Sequence, residues 1–439
     1  MLLRSKQAIA EALEQEIISK AAQGFDVGEL QKELLLLPDS YDALAAFADK
    51  LTDLPLRADW PYVEPNDWDG ILAEIDPPDP TPISLEEAQR GVRMAFLSSV
   101  CGCILGKPLE LDPTYDAMQR AFAPIGEWPI HDYISIEMLE RFGDRNGSWF
   151  RTARECIENA AADDDLNYTV LGMTLLERCG LDFTKHDLCK EWIYRLPLHY
   201  TFGPERLHLM RSAQSQFDGG ALFDPSWADM ANPKDECCGA MIRADAYGYA
   251  YAGDPFHAAQ LAWRDATVTH RYTGVYGAMF AAAAIAEAFV ASNPFEIFEV
   301  AQRCVPKRSR YYECISHCLA LVRNAPDFEA GYRAVHEAYP LHTHCKIYQE
   351  TGTLINTLAH ASDIGEGICL QIMQGNDTDS YGCTCGSILG AYFGEGYLED
   401  RWLAPFHDRI VLGMGAAPEF QLSKLADRMA ALPKLTIQA

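Results

Sequence analysis

A short polar stretch interrupts the apolar second half of the chain and reads Gln374-Gly375-Asn376-Asp377-Thr378-Asp379-Ser380-Tyr381-Gly382. It separates an apolar segment from a glycine-rich apolar one, and acidic groups beside a core are unfavourable unless a cation or a partner offsets their charge. The carboxylates of Asp377 and Asp379 alternate, and on an extended segment this spacing places both on one face. The stretch therefore predicts a bound cation, with the Ser380 hydroxyl as a further oxygen donor where a helix begins.

A second acidic run, Asp163-Asp164-Asp165-Leu166-Asn167-Tyr168-Thr169, precedes a helical pattern that continues to Gly180. Asp163 is placed to cap this helix, and Asp164 and Asp165 then lie in its first turn, where the helix dipole favours anions. An acidic helix cap and one half of a cation site both explain the run. Carboxylate and hydroxyl oxygens are hard ligands, so the two runs suit Mg²⁺, Mn²⁺ or Ca²⁺ rather than zinc.

The overall charge argues against nucleic acid as a partner. The 439 residues include 36 Lys and Arg against 63 Asp and Glu, which gives a formal net charge of -27. Affinity for DNA or RNA comes largely from cationic contacts to phosphate. We therefore expect no nucleic-acid partner.

The cysteines and the N-terminus predict a cytoplasmic protein without a membrane span. The chain has 14 cysteines, and its start passes into Glu-rich amphipathic sequence without a hydrophobic signal core, so reduced thiols are expected. The longest apolar run, residues 274–292, reaches about membrane-spanning length. It is Ala-rich and contains Glu287, which favours a tightly packed buried helix.

Helical patterns dominate the chain, and strand patterning is nearly absent. Residues 1–52 show two or three amphipathic helical repeats, and residues 53–83 are rich in Pro and Trp, which is typical of an extended connector. Ser84-Leu85-Glu86-Glu87 is a capping box that opens the next helix. We predict an N-terminal helical extension over residues 1–83 and one all-α domain over residues 84–439. The extension is either a packing element or a lid or partner-docking element.

Local chemistry adds three candidate site residues. Gly102 and Gly106 allow close backbone approach, and Glu110 follows the end of their helix, either as a general base or as a solvated loop residue. The small residues around Gly239 suit anion binding by backbone N–H groups at a helix start. His270, taken alone, is typical of a structural histidine.

The chain resembles the ADP-ribosylglycohydrolase family over roughly residues 88–400. This family includes dinitrogenase reductase-activating glycohydrolase and the ADP-ribosyl-acceptor hydrolases. Its most specific motif is Gly-x-Asp-Thr-Asp-Ser/Thr, present here from Gly375 to Ser380. The other matching features are, in chain order, Glu110 after Gly102-x-x-x-Gly106, the Asp163-Asp164-Asp165 run, Gly239 with Arg243, and Thr269-His270.

The resemblance implies a fold, a reaction and a set of site residues. Family members are all-α hydrolases that use two divalent cations, Mg²⁺ or Mn²⁺, to cleave the N- or O-glycosidic bond at the ribose of an ADP-ribosyl group. Such cations lower the pKa of a bound water and hold it for attack. The implied metal ligands are Asp163, Asp164, Asp165, Asp377, Asp379 and Ser380. The implied ADP-ribose-binding residues are Gly239, Ala240 and His270. Proton transfer is implied for Glu110 or Asp165.

Four positions depart from the family pattern. Asp163 stands where Thr or Ser is usual, Cys103 where many members have Asp, Leu166 where Thr is usual, and Cys238 where Asn is frequent. The departures keep two alternatives open. One is a catalytically weakened ADP-ribose-binding or immunity-type protein that blocks an ADP-ribosyltransferase through residues 1–83. The other is a hydrolase of free nucleotides or nucleosides.

Overall fold

Helices supply the regular structure of residues 5–340, 345–416 and 419–437, the parts of the chain that this computed structural model describes. The N-terminal part contains α1 (Lys6–Ala22), α2 (Leu30–Leu35), α3 (Tyr41–Thr52) and α4 (Trp68–Glu74). The remainder contains α5 (Leu85–Gly106), α6 (Tyr115–Phe122), α7 (Ile136–Phe142), α8 (Trp149–Thr152), α9 (Asp164–Cys179), α10 (Lys185–Arg195), α11 (Gly203–Phe217), α12 (Asp245–Ala250), α13 (Pro255–Ala266), α14 (Thr273–Ala288), α15 (Pro294–Gln302), α16 (Arg310–Asn324), α17 (Phe328–Ala338), α18 (Ile347–His360), α19 (Ile364–Met373), α20 (Thr378–Phe393), α21 (Asp400–Leu403) and α22 (Leu422–Met429). Pairing between extended segments of the described residues is confined to isolated bridges, which confirms the predicted all-α fold.

The predicted capping box at the start of α5 is confirmed. The Ser84 hydroxyl accepts a hydrogen bond from the Glu87 backbone N–H at 3.2 Å, and the Glu87 carboxylate accepts one from the Ser84 backbone N–H at 3.3 Å. The helix is continuously buried from Ala95 to Gly106. A tight 3-10 turn with proline at its second position then ends it, because proline cannot continue a helix.

Helices α5 and α20 pack with their backbones almost in contact, and this packing positions the candidate site. A Cβ atom added to Gly102 would lie 2.0 Å from the carbonyl oxygen of Gly382, and one added to Gly106 would lie 2.2 Å from that of Thr378. The Thr378 hydroxyl donates to the Gly106 carbonyl at 2.9 Å. Only glycine permits so close an approach, which places the end of α5 beside the start of α20.

The N-terminal extension has a small core of its own and is tied to the rest of the chain by buried polar contacts. Its core residues are Leu13, Ile17, Leu30, Leu44, Phe47 and Leu51. Gln23 donates to the Asp235 carboxylate at 2.8 Å, and Arg310 on α16 binds Glu64 at 2.9 Å and Glu236 at 2.6 Å. The division of the chain into residues 1–83 and 84–439 stays a prediction.

The sequence pattern predicts an extended connector over residues 53–83, but the structure shows that these residues are not extended throughout. Helix α4 forms within them, where Asp67 accepts a hydrogen bond from the Gly70 backbone N–H at 2.8 Å and caps its first turn. Between Pro65 and Pro77 the chain has no proline. That interval is long enough for a short capped helix.

The apolar run at residues 274–292 forms the buried helix α14, with every residue from Thr273 to Ala288 buried. Within the described residues, Leu85–Leu109 is the helical stretch long and apolar enough to cross a membrane, and 83% of its most apolar window is buried inside the protein. A core helix passes the same test, so this is weak evidence for a membrane span.

Asp245 on α12 predicts a pH-dependent stability that does not involve the candidate site. It is 1% exposed, and burial raises its pKa to about 7, although hydrogen bonds from Ser387 and Tyr249 oppose the shift. The folded protein therefore holds a proton that the unfolded chain releases near pH 4, and stability falls as pH rises from there towards 7.

We expect Asp245→Asn to remove this pH dependence. Relative to the wild type, the variant should gain about 2 kcal/mol in unfolding free energy between about pH 5.5 and about pH 8, since one pKa unit corresponds to about 1.4 kcal/mol. Urea denaturation of both proteins at the two pH values measures the difference. A difference that is the same at both values would contradict a raised pKa.

Candidate active site

Lys107 lies at the centre of the acidic cluster. It follows directly after α5, and its ammonium nitrogen lies 2.6 Å from Asp379 Oδ2, 2.7 Å from Glu110 Oε2 and 2.8 Å from Asp163 Oδ2. Its side chain is 13% exposed. Burial alone would lower the pKa of Lys107, but the carboxylates, with Asp163 foremost, outweigh burial and hold that pKa well above its ordinary value. Lys107 is therefore a buried cation that joins three segments of the chain.

The start of α9 holds the first acidic run as the sequence predicts. Asp163 is the N-cap, and its side chain accepts a hydrogen bond from the Asp165 backbone N–H at 3.1 Å. Asp164 and Asp165 form the first turn, with Asp164 half-buried and Asp165 1% exposed. Burial and then the neighbouring Asp163 charge raise the pKa of both Asp164 and Asp165 well above the ordinary range. The run is both a helix cap and part of a larger cluster.

The start of α20 holds the second acidic run. Asp377 is the N-cap, and its backbone N–H donates to Glu350 Oε1 at 3.0 Å. The prediction that Asp377 and Asp379 lie on an extended segment is wrong, because Glu350 binds the cap and the helix begins at Thr378. Asp379 therefore lies in the first turn of α20. Burial raises its pKa to about 7, although the Lys107 ammonium opposes that shift.

The two acidic runs meet. The Ser380 hydroxyl on α20 donates to Asp165 Oδ2 on α9 at 3.4 Å, and Lys107 bridges Asp163 and Asp379. Asp377 Oδ2 accepts a bond from the Cys238 thiol at 3.4 Å. All six predicted metal ligands thus lie in one cluster or directly beside it.

The cluster has oxygen atoms suited to a divalent cation. Asp165 Oδ1 and Asp379 Oδ1 are buried and accept no hydrogen bond from the described part of the chain. Ligand oxygens of Glu110, Asp377 and Asp379 lie within 4.8 Å of one another. A buried carboxylate oxygen without a donor is unfavourable, and Mg²⁺ and Mn²⁺ prefer such hard oxygen ligands. The residues present therefore fit a divalent cation.

A cavity of about 440 Å³ ends at this cluster. Its lining includes Glu110, Asp164, Asp377 and Ser380 from or beside the cluster, together with Tyr168, Phe202, Glu205, Lys234 and Gly239. Small-molecule sites combine a largely apolar wall with a few convergent polar groups. This cavity has apolar and polar lining residues, and several of the polar ones are carboxylates.

Glu110 lies on the cavity wall and is positioned by two side chains. The Lys107 ammonium at 2.7 Å and the Asn146 amide at 2.9 Å both contact Glu110 Oε2. Burial raises the pKa of Glu110, and the Lys107 charge opposes the shift. A carboxyl held in this way, facing a cavity, is suited to proton transfer.

Gly239 is the one predicted substrate-binding residue that lines the cavity. A Cβ atom added there would lie 2.7 Å from Glu205 Oε1, so a side chain would collide with the cavity wall. Arg243 holds this wall: it binds the carboxylate of Glu205, donates to the Gly239 carbonyl at 2.9 Å and binds Asp265 at 2.6 Å.

Ala240 and His270 lie behind the wall. They are 1% and 0% exposed, and neither lines the cavity. His270 Nδ1 lies 2.8 Å from the Thr269 hydroxyl. Burial, followed by the Arg243 charge, lowers the pKa of His270 well below its ordinary value. His270 therefore contacts Thr269 rather than the cavity, and its part in binding ADP-ribose stays a prediction, as does that of Ala240.

Sequence reasoning missed four residues of the site. Lys107, Asn146, Glu205 and Glu350 come from separate segments of the chain, and no local spacing connects them. Lys107 alone had a signal, because it stands between the helix-ending glycine and Glu110 in a run that already marked a tight contact.

Fold and site together define an all-α protein whose cavity ends at a buried carboxylate cluster. The chain belongs to the ADP-ribosylglycohydrolase family, since the sequence model of that family matches residues 84–436. This membership supports a glycohydrolase-type function, and the resemblance inferred from the motifs is confirmed.

A solved structure described as "ADP-ribosylglycohydrolase-related protein complex" is similar in fold. The alignment covers 80% of this chain and 100% of that chain, with a TM-score of 0.50 and 18% sequence identity. Sequence comparison with curated proteins found no match. The likeness to the solved structure therefore concerns the fold alone.

Proposed function

We propose that the protein is a metal-dependent hydrolase that cleaves the glycosidic bond between ADP-ribose and an acceptor, either a protein side chain or a small molecule. The observation that carries this proposal is the meeting of the two acidic runs at the end of one cavity, where Ser380 binds Asp165 and both runs contribute to the wall. Family membership of residues 84–436 supports the reaction type.

Divalent cations, Mg²⁺ or Mn²⁺, are the proposed cofactor, and the family resemblance implies two of them. The residues that would hold them are Asp163, Asp164, Asp165, Asp377, Asp379 and Ser380. When bound, such cations polarise substrate oxygens and lower the pKa of water.

Glu110 and Asp165 are the proposed proton-transfer residues. Glu110 faces the cavity with a pKa raised by burial, so it is suited to protonating the leaving group of the glycosidic bond. Asp165 is the proposed acceptor of the proton from the attacking water, as the family resemblance implies. Gly239 lines the cavity and is the proposed backbone contact for the diphosphate of ADP-ribose.

The test of this function is release of free ADP-ribose from arginine-linked and serine-linked ADP-ribosylated substrates. Each assay is run after chelation and again after addition of Mg²⁺ or Mn²⁺. We expect release from one linkage only when metal is restored. Release that survives complete chelation would contradict a metal-dependent reaction.

Glu110→Gln should slow turnover by about 100-fold, because glutamine has no carboxyl proton to transfer. The affinity for ADP-ribose should stay within a few-fold of wild type, because glutamine has nearly the same shape as glutamate. Single-turnover kinetics and calorimetric titration with ADP-ribose measure the two effects. Glu137→Gln, at an exposed position in the first turn of α7, is the control and should match wild type. Unchanged turnover in Glu110→Gln would remove this residue from the mechanism.

A second candidate function is ADP-ribose binding without turnover. The observation that favours it is Lys107, which already binds three carboxylates of the cluster. Tight binding of ADP-ribose with no release under any metal condition would support this candidate over the hydrolase.

An ADP-ribosylated substrate is the partner that this function requires. A protein contact through the N-terminal extension is proposed as well, because the apolar side chains of Leu35 and Leu36 are 85% and 84% exposed. The cytoplasmic location stays a prediction, and none of the 14 cysteines, all within the described residues, forms a disulfide.

A further inference from the structure

We propose that the Lys107 ammonium takes the place of one of the two divalent cations, so that this chain binds a single metal ion beside a built-in cation. The inference rests on the proposed function, because it concerns the same metal centre. It departs from the two ions that the family resemblance implies.

The Lys107 ammonium group lies among three carboxylates. Lys107 Nζ contacts one oxygen each of Asp163, Asp379 and Glu110 at 2.6 to 2.8 Å. These are charge-assisted hydrogen-bond distances, and a divalent cation needs the same oxygens at about 2.1 Å. A divalent cation bound at these same three oxygens would occupy the space of the Lys107 ammonium, so the two cannot be bound there together.

Lys107 is held in place by the backbone on both sides of it. Its backbone follows Gly106, which is held against Thr378 by the close packing of α5 on α20, and Pro108 restricts the next step of the chain. Its side chain is 13% exposed. A second divalent cation would have to displace a buried ammonium from three carboxylates and then lie beside it, which like-charge repulsion opposes.

Other oxygens of the cluster do not contact Lys107 and are available to a metal ion. Asp165 Oδ1 and Asp379 Oδ1 are buried and accept no hydrogen bond from the described residues, and the Ser380 hydroxyl lies at hydrogen-bond distance from Asp165. Asp379 thus offers one oxygen to Lys107 and keeps the other for an ion. We assign the single ion to these oxygens, with Asp164 and Asp377 of the adjoining cavity wall as further hard ligands.

Cys103 is consistent with a reduced metal count. Its sulfur lies within 4.8 Å of carboxylate oxygens of Asp163 and Asp165, at the position where many family members have Asp. A thiol is a softer ligand than a carboxylate and is less suited to Mg²⁺ or Mn²⁺, so the cluster offers one hard ligand fewer at this position.

Metal stoichiometry tests the inference without any assay of turnover. Calorimetric titration of the chelated full-length protein with Mn²⁺ should give one ion per chain. Electron paramagnetic resonance of the saturated protein should show isolated Mn²⁺ without a spin-coupled pair. Lys107→Met keeps the length of the side chain but removes its charge, and it should bind two ions per chain.

Lys234→Met is the matched control, because Lys234 lines the same cavity and its loss removes the same charge. It should bind one ion per chain, as the wild type does. Circular dichroism checks that each variant is folded, and the wild-type stoichiometry tests the inference even if Lys107→Met does not fold.

Two ions per wild-type chain, or a spin-coupled pair in its spectrum, would overturn the inference and leave the metal-dependent hydrolase standing. A folded wild type that binds no Mn²⁺ would overturn the inference and the proposed function together. One ion in wild type and still one in folded Lys107→Met would show that the lysine does not exclude the second ion, and would also overturn it.

Discussion

Replacing Asp379 by Asn should reduce the release of ADP-ribose by about a thousandfold, the scale expected for loss of a principal electrostatic group in an active site. Asp379 binds the Lys107 ammonium through Oδ2 at 2.6 Å, and its Oδ1 is buried and accepts no hydrogen bond from the described residues. An amide has no negative charge to offer to the Lys107 ammonium or to a bound cation. The substitution therefore weakens both the binding of a cation and the position of Lys107.

Single-turnover release and Mn²⁺ titration on the same sample measure the two consequences. Asp116→Asn is the control, since Asp116 also lies in the first turn of a helix but forms an exposed ion pair with Arg333. It should stay within about twofold of wild type, because surface ion pairs contribute little. Full activity in a folded Asp379→Asn protein would exclude Asp379 from the site.

Gly102→Ala should destabilise the protein by about 3 kcal/mol, even though alanine is the better helix former by about 1 kcal/mol. The new methyl group would lie 2.0 Å from the carbonyl oxygen of Gly382, and backbone atoms of α20 cannot rotate away as a side chain can. The two helices must separate. Since Lys107 and Asp379 lie at the ends of these helices, metal binding should weaken as well.

Urea denaturation and Mn²⁺ titration of Gly102→Ala measure these two losses. Gly147→Ala is the matched control, because a Cβ atom there would meet nothing within 4 Å. We expect its unfolding free energy to stay within about 0.5 kcal/mol of wild type. Equal stability of the two variants would show that the α5–α20 contact tolerates a side chain.

Local chemistry explains why several elements of the fold were predictable from the sequence. The Ser84 capping box, the Asp163 helix cap and the buried α14 each depend on neighbours in sequence, and each appears in the structure as predicted. Whether a segment forms a helix or a strand can also be predicted locally, because the spacing of its apolar residues differs between the two. The prediction that Asp377 to Asp379 are extended is wrong. Glu350, from a helix distant in sequence, accepts a hydrogen bond from the backbone N–H of Asp377, the residue that caps α20.

The sequence by itself determined the helical class, the family and the two acidic runs, because motif and spacing are properties of adjacent residues. Only the tertiary structure decided that Lys107 lies among the carboxylates, that Gly239 reaches the cavity and that His270 does not. These positions depend on how closely α5 and α20 approach each other and on whether a residue lines the cavity or is buried behind its lining. They follow from packing between segments that are remote in sequence, which no local pattern encodes.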